Sequence, residues 1–374
     1  MRYYAGWADK IHGDTIPMQG DYFAYTRKEP VGVAAQFIPW NLPFKVLCAN
    51  LSPALAAGCT VVIKPAEQTP LSSLKIAELV KEAGIPDGVV NILNGYGKNA
   101  GAYLSTHPDV DKIAFTGSCQ IGMEIMKNSA ANNKLKRVQL ELGGKSPNII
   151  LDDVDVDKAV AQANFASFLL EGQTCLSGSR TFVHEKIYDE FVEKSTNLVK
   201  EVKFGDNFDE ATTHGPLISK LHRERVMKYI KIGQKEGATL TTGGTIPDRK
   251  GYYLQPAVFA DVTDTMTIAR EEIFGPVMSI LKFSDIDEVI HMANDTEFGL
   301  ASGVMTNDIS KAMHLANGIR AGTVYINCYN MLIHTTPFGG FKNSGIGRDY
   351  GRPGVESYYE NKTVVIARPS GSLP

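Results

Sequence analysis

The chain has 374 residues, 43% of them hydrophobic and 21% charged, with a net charge of −3. That length suits two or three domains with a large core, and the charge leaves no electrostatic footprint for nucleic acid or an anionic membrane. Five cysteines (Cys48, Cys59, Cys119, Cys175, Cys328) form an odd, dispersed set with no Cys-x-x-Cys pair, which argues against a disulfide framework and a thiolate zinc site, so no metal is expected. The first ten residues lack the apolar run of a secretory signal, and no segment approaches membrane-spanning length. A reducing, cytoplasmic compartment and small, roughly neutral partners are the expectation.

Residues 21–29 are polar and aromatic, with Phe23 and Tyr25 in strand-like alternation. Short apolar runs at 31–38, 60–63, 89–93 and 112–115 then read as strands. Helical patterns at 43–57, 71–83 and 100–106 lie between them. Such alternation predicts a parallel sheet covered on both faces. The rhythm pauses at Gly143-Gly144, read as a domain boundary, and resumes with strands near 148–151 and 181–183 and helices near 156–168 and 188–199. This second α/β unit extends to about residue 341. Residues 362–367 form one late, isolated strand, an arm expected to pair with another element or another subunit.

Several motifs fall at strand ends, where ligands of open α/β folds collect. Phe115-Thr116-Gly117-Ser118 leaves a strand and meets a helix, so helix-start N–H groups and the Ser118 hydroxyl suit a pyrophosphate; a tight turn requiring glycine is the equal alternative. Gly95-Tyr96-Gly97-Lys98-Asn99-Ala100-Gly101 has one residue too many for the dinucleotide fingerprint, though it can still line a pocket. Lys64-Pro65-Ala66-Glu67 places a donor and an acceptor where ribose hydroxyls would sit, and Glu67 would repel a 2′-phosphate, favouring NAD over NADP. A solvated surface pair is the competing reading.

Cys175, among small and polar residues in Gly172-Gln173-Thr174-Cys175-Leu176-Ser177-Gly178, suits a nucleophilic thiolate, against the alternative of a buried apolar filler. Asn41 in Pro39-Trp40-Asn41-Leu42-Pro43 offers an amide donor to an oxyanion, or an ordinary helix cap. Glu141, beside two glycines at the end of an apolar stretch, suits a general base of raised pKa, or a surface carboxylate. Glu272 invites the same comparison.

Together these motifs, with Glu141-Leu142-Gly143-Gly144-Lys145-Ser146-Pro147, Glu272-Ile273-Phe274-Gly275-Pro276 and Pro337-Phe338-Gly339-Gly340, resemble the NAD(P)-dependent aldehyde dehydrogenase superfamily over the whole chain. The likeness is to its class 1/2, cytosolic, mitochondrial and retinal dehydrogenase-like group. It implies an α/β fold of two Rossmann-like parallel-sheet domains plus a small β oligomerisation arm. The implied domains are an NAD-binding domain at 1–143, with a bridging arm at about 12–30, a catalytic domain at 144–343 and a C-terminal oligomerisation arm at 355–374.

The resemblance further implies NAD-dependent oxidation of an aldehyde to its acid through a cysteine thiohemiacetal and thioester. Cys175 would be the nucleophile, Glu141 the base for the hydrolytic water, and Asn41 with the Cys175 N–H the oxyanion hole. Ile38, Trp40, Lys64, Glu67, Gly97, Gly117, Ser118, Leu142, Glu272 and Phe274 would bind NAD, with Glu272 and Phe274 at its nicotinamide end. Leu42, Val46, Ala49, Thr174, Leu176 and Leu332 would line a substrate tunnel. A homodimer or homotetramer is implied, with a small-molecule aldehyde and neither nucleic acid nor membrane as partner.

Departures from the family pattern add further expectations. Relatives begin well upstream of Met1, so a chain shortened at its N-terminus is expected, and with it the alternative of a non-catalytic, structural or partner-dependent family member. Leu42, Val46 and Ala49 are smaller than the residues relatives carry on that helical face, which predicts a wide tunnel for long-chain, bulky or retinoid aldehydes. Cys119 and His222 replace the family's more usual threonine and glutamine.

Overall fold

Runs of β-branched and apolar residues alternating with amphipathic helices produce two parallel sheets, each in its own unit. The computed structural model describes residues 1–206 and 208–369. One unit comprises Met1–Glu141, Ile333–Phe338 and the described residues from Ile346 onward; the other comprises Leu142–Leu332 and Gly339–Gly345.

In the first unit, β1 (Thr15–Ile16) and β2 (Tyr22–Pro30) precede β3 (Val33–Ile38), β4 (Thr60–Pro65), β5 (Val90–Ile92), β6 (Lys112–Thr116) and β7 (Arg137–Glu141). The last five lie parallel in the order β7-β6-β3-β4-β5. Strand order reverses between β3 and β6, a switch point that opens a crevice at the carboxyl edge. Ile38, Leu47, Leu51, Val61 and Ile63 fill the core beneath the helix Pro43–Ala56. Each such buried aliphatic side chain contributes about 1.5–3 kcal/mol.

The late strand is longer than expected, Tyr359–Ala367, and its partner is within the chain. It pairs antiparallel with β2 along its whole length, from Tyr359 opposite Pro30 to Ala367 opposite Tyr22. β1 closes the far side of this three-stranded sheet, which leaves Tyr22, Phe23, Val365 and Ile366 exposed.

In the second unit, β8 (Pro147–Ile150), β9 (Arg180–His184), β10 (Thr239–Thr242), β11 (Ala257–Ala260), β12 (Val277–Phe283), β13 (Ala301–Met305) and β14 (Thr323–Ile326) form one sheet. Its order is β10-β11-β12-β9-β8-β13-β14, parallel except for the β10/β11 edge. The central strands are buried on both faces, with Ile149, Ile150, Phe182, Val183 and Ile280 all without exposed surface. That explains their continuous apolar composition.

Local chemistry sets the element ends. The helix Val156–Phe168 occupies the expected residues because Asp155 caps it, accepting from the N–H groups of Asp157 and Lys158. The strand expected from residue 31 starts at Val33, since Gly32 takes φ +115° and breaks extension. β4 continues two residues past the expected end at 63, to Pro65, which pairs with Ile38. The helix expected from residue 100 starts at Ala102, because Gly97–Gly101 first forms a wider π turn.

Candidate active site

The first unit carries Asn41, Lys64, Glu67, Ser118 and Glu141 at the carboxyl ends of its parallel strands. Lys64 lies near the end of β4; its Nζ donates to the Pro65 carbonyl at 2.7 Å and stands 3.7 Å from the Glu67 carboxylate. Lys64 is buried and Glu67 exposed, so this is not a simple solvated pair. Burial lowers the Lys64 pKa, and the Glu67 charge partly restores it.

Ser118 occupies the N-cap of the helix Cys119–Ser129 and makes no side-chain capping bond. A Cβ at Gly117 would lie 2.5 Å from the Phe115 ring, so a side chain there would require that ring to shift. At Gly97 a Cβ would meet nothing within 4 Å, leaving open space above the π turn. A helix start bearing a hydroxyl, an open glycine turn and a lysine–glutamate pair at neighbouring strand ends fit a dinucleotide. Ile38 is buried and its carbonyl accepts the Ala66 N–H at 2.9 Å, whereas Trp40 is half-buried.

Asn41 is half-buried and lies before the N-cap, which is Leu42. Pro43 opens the helix, as its fixed φ and missing N–H favour. The capping alternative for Asn41 therefore does not hold. On the same helix Val46 is half-buried and Ala49 buried.

Glu141 ends β7 and is 5% exposed, with no hydrogen-bond partner for either carboxylate oxygen. Burial, then the Asp349 charge, raises its pKa well above the ordinary value; Arg348 opposes them. A surface carboxylate is ruled out by this burial. An uncompensated buried carboxyl favours its neutral form and becomes a strong base when ionised.

Cys175, in the second unit, is half-buried in a turn held from several sides. Three successive left-handed residues lead into it, Leu170, Glu171 and Gly172 at φ +54°, +56° and +66°. Two of these are not glycine, and such strain persists only where the surroundings impose it. The Glu171 carboxylate accepts the Gly215 N–H at 2.7 Å, and Gln173 Oε1 accepts the Ile218 N–H at 3.0 Å. A Cβ at Gly172 would fall 2.3 Å from the Gly275 carbonyl oxygen. Beyond the cysteine, the Tyr329 hydroxyl donates to the Leu176 carbonyl at 3.0 Å, and Ser177 Oγ donates to the Ser167 carbonyl at 3.1 Å. Thr174 and Leu176 are buried beside the thiol, while Leu332 is half-buried.

Glu272 is folded against the Gly143-Gly144 turn, where its Oε1 accepts the Gly144 N–H at 3.1 Å. A Cβ at Gly143 would stand 2.3 Å from its Oε2. Burial raises the Glu272 pKa to about 7 against the pull of that N–H, Arg225 and Lys145. Phe274 takes φ +58°, and His222 Nε2 lies 2.7 Å from its carbonyl oxygen. Leu142 is buried, its N–H donating to the Ser344 carbonyl at 2.9 Å. Among the described residues, no group of three His, Cys, Asp or Glu side chains is gathered as a metal ion would require.

Sequence reasoning missed Lys112, Gln139, Asp349 and Tyr329, all buried beside these motifs. A charged residue opening an apolar strand was the available signal for Lys112; Asp349 and Tyr329 carried none.

The sequence profile of the aldehyde dehydrogenase family matches residues 1–364. Mitochondrial aldehyde dehydrogenase of Mesocricetus auratus is 54% identical over 369 residues, covering 99% of this chain and 74% of its own length. Retinal dehydrogenase 2 of Mus musculus is likewise 54% identical over 369 residues, covering 99% of this chain and 71% of its own. An aldehyde dehydrogenase from Bacillus cereus, solved as an NAD+ complex, superposes with a TM-score of 0.95 at 51% identity, covering 98% of this chain and 74% of that one. The class is therefore the α/β oxidoreductases that act on aldehydes. The chain belongs to the aldehyde dehydrogenase family, and its fold is that family's fold.

Proposed function

We propose that Cys175 is the nucleophile, Glu141 the hydrolytic base and Asn41 an oxyanion donor in the NAD-dependent oxidation of a long-chain, bulky or retinoid aldehyde. NAD-dependent aldehyde oxidation is the activity of this family member. The observation that most supports the assigned roles is the pinned turn holding Cys175. The thiolate sulfur bonds to the carbonyl carbon, and the carbonyl electron pair moves onto oxygen, where the Asn41 amide and the Cys175 N–H donate to it. Bound NAD supplies the acceptor for the hydride. The oxyanion expels the C–H electron pair and leaves a thioester on Cys175. Glu141 then takes a proton from water, the hydroxide adds to the thioester carbon, the C–S bond breaks and the acid departs.

In the same reading the first unit is the NAD-binding domain and the second the catalytic domain. Lys64 and Glu67 hold the adenosine ribose, Ser118 with Gly97 and Gly117 the pyrophosphate, and Glu272 with Phe274 the nicotinamide end, with Ile38, Trp40 and Leu142 alongside. Thr174, Leu176, Leu332, Leu42, Val46 and Ala49 are the residues assigned to the substrate tunnel. The small side chains at Val46 and Ala49 support a wide tunnel. With NADH formation as the readout, kcat/KM should rise from acetaldehyde through long-chain to retinoid aldehydes; a steady fall along that series overturns the substrate assignment.

The three-stranded sheet, with exposed Phe23, Val365 and Ile366, supports a subunit-bridging arm and a homodimer or homotetramer. Of the arm assigned to 355–374, residues 370–374 lie outside those described. Light scattering after size exclusion should give two or four times the chain mass; a stable monomer contradicts it. Five dispersed cysteines with no Cys-x-x-Cys pair support a reducing compartment, read here as the cytoplasm, and recovery in a membrane-enclosed organelle fraction would correct that. Among the described residues no helix is long and apolar enough to cross a membrane.

A further inference from the structure

Lys112 opens β6 and is 2% exposed. Its Nζ donates to Gln139 Oε1 and to the Ser357 carbonyl, each at 3.0 Å, and lies 4.3 Å from the centre of the Tyr358 ring. Gln139, 4% exposed, turns its amide N–H to the Asp349 carboxylate, itself 7% exposed. Gln139 and Glu141 are two residues apart on β7, so both project from one face of the strand, about 7 Å apart along it. A buried cation, an amide and a carboxylate thus form a chain of hydrogen bonds that ends beside the unpartnered carboxyl of Glu141.

We propose that Lys112, acting through Gln139, is a positioning residue for the hydrolytic step: it keeps Asp349 as a carboxylate facing the base. This rests on the reading of Glu141 as that base. A buried Asp349 left alone would take up a proton, and a neutral Asp349 would no longer repel negative charge at Glu141. Burial raises the Asp349 pKa to about 6, while Lys112 and the Gln139 bond pull it down. Burial lowers the Lys112 pKa to about 8, with Asp349 and Cys59 opposing and Arg137 assisting. Near neutral pH both groups are therefore charged. Glu141 faces the Asp349 and Arg348 charges, so Lys112 reaches it through Asp349. Tyr4 and Tyr358 also feel the Asp349 charge and stay neutral, with raised pKa values. In a low-dielectric interior such polarised chains couple strongly.

The sign is definite. Losing the anion at Asp349 lowers the proton affinity of Glu141 and makes it a weaker base. The test is an infrared pH titration of the full chain, with the protonated carboxyl band of Glu141 identified by its loss in Glu141→Gln. Lys112→Met, Gln139→Leu and Asp349→Asn should each move that band's midpoint about one pH unit or more toward acid, and Lys112→Arg should restore it. The acid limb of hydrolysis of an activated acyl ester, which loads Cys175 without a hydride step, should move the same way. An unchanged midpoint in folded Lys112→Met and Gln139→Leu, with a shift in Asp349→Asn, overturns the role of Lys112. Ester hydrolysis surviving at full rate in Glu141→Gln overturns instead the reading of Glu141 as base, and the infrared result stands apart from it.

Discussion

Cys175→Ala should lose NADH formation by on the order of 10⁴–10⁶-fold, the scale seen when the nucleophile of a catalytic set is removed. The loss is chemical rather than structural. The turn around residue 175 is held by Glu171, Gln173, Ser177 and Tyr329 through bonds that do not involve the thiol. Removing one half-buried sulfur should therefore change stability by about 1 kcal/mol or less. NAD should still raise the melting temperature of the variant in proportion to its occupancy. Steady-state turnover and a thermal shift on the same preparation separate the two effects. Turnover retained in Cys175→Ala would remove the thiol from the mechanism.

Glu141→Gln should spare acylation and slow hydrolysis. General-base removal costs about 10²–10⁴-fold, so one equivalent of NADH should form rapidly and the steady state should then fall by that factor. Its stability carries a second signature. Glu141 has a folded pKa raised above its unfolded value, so its favourable contribution is complete below the unfolded pKa and is lost as pH rises through the folded one. Wild type should lose melting temperature relative to Glu141→Gln as the solution becomes more alkaline, because the variant has no carboxyl to ionise. Parallel melting curves across pH would contradict the buried, unpartnered environment of this group.

These results depend on features that the sequence displayed unevenly. The parallel architecture was legible because Ile149 and Phe182 belong to short apolar runs, as strands buried on both faces require. Pro43 announced a helix start, and Gly117-Ser118 announced a strand-to-helix turn. Other features needed the chain's long-range pairing. Glu141 is buried because β7 lies against β6, with Thr116 opposite it in register, and nothing local separates it from a solvent-facing strand end. Leu170 and Glu171 hold left-handed conformations that their residue types disfavour, so no local preference could reveal the strained approach to Cys175. The Lys112–Gln139–Asp349 chain joins residues 27 and 210 positions apart, and its charges stay invisible until the fold buries them together.

The central claim is that oxidation passes through an acyl group on Cys175. Its most direct test is mass spectrometry of acid-quenched Glu141→Gln after mixing with aldehyde and NAD, since slow hydrolysis should let the thioester accumulate. The account predicts the acyl mass on the peptide containing Cys175, at a stoichiometry approaching one per chain and absent without NAD. An unmodified Cys175 during continued acid production would contradict it.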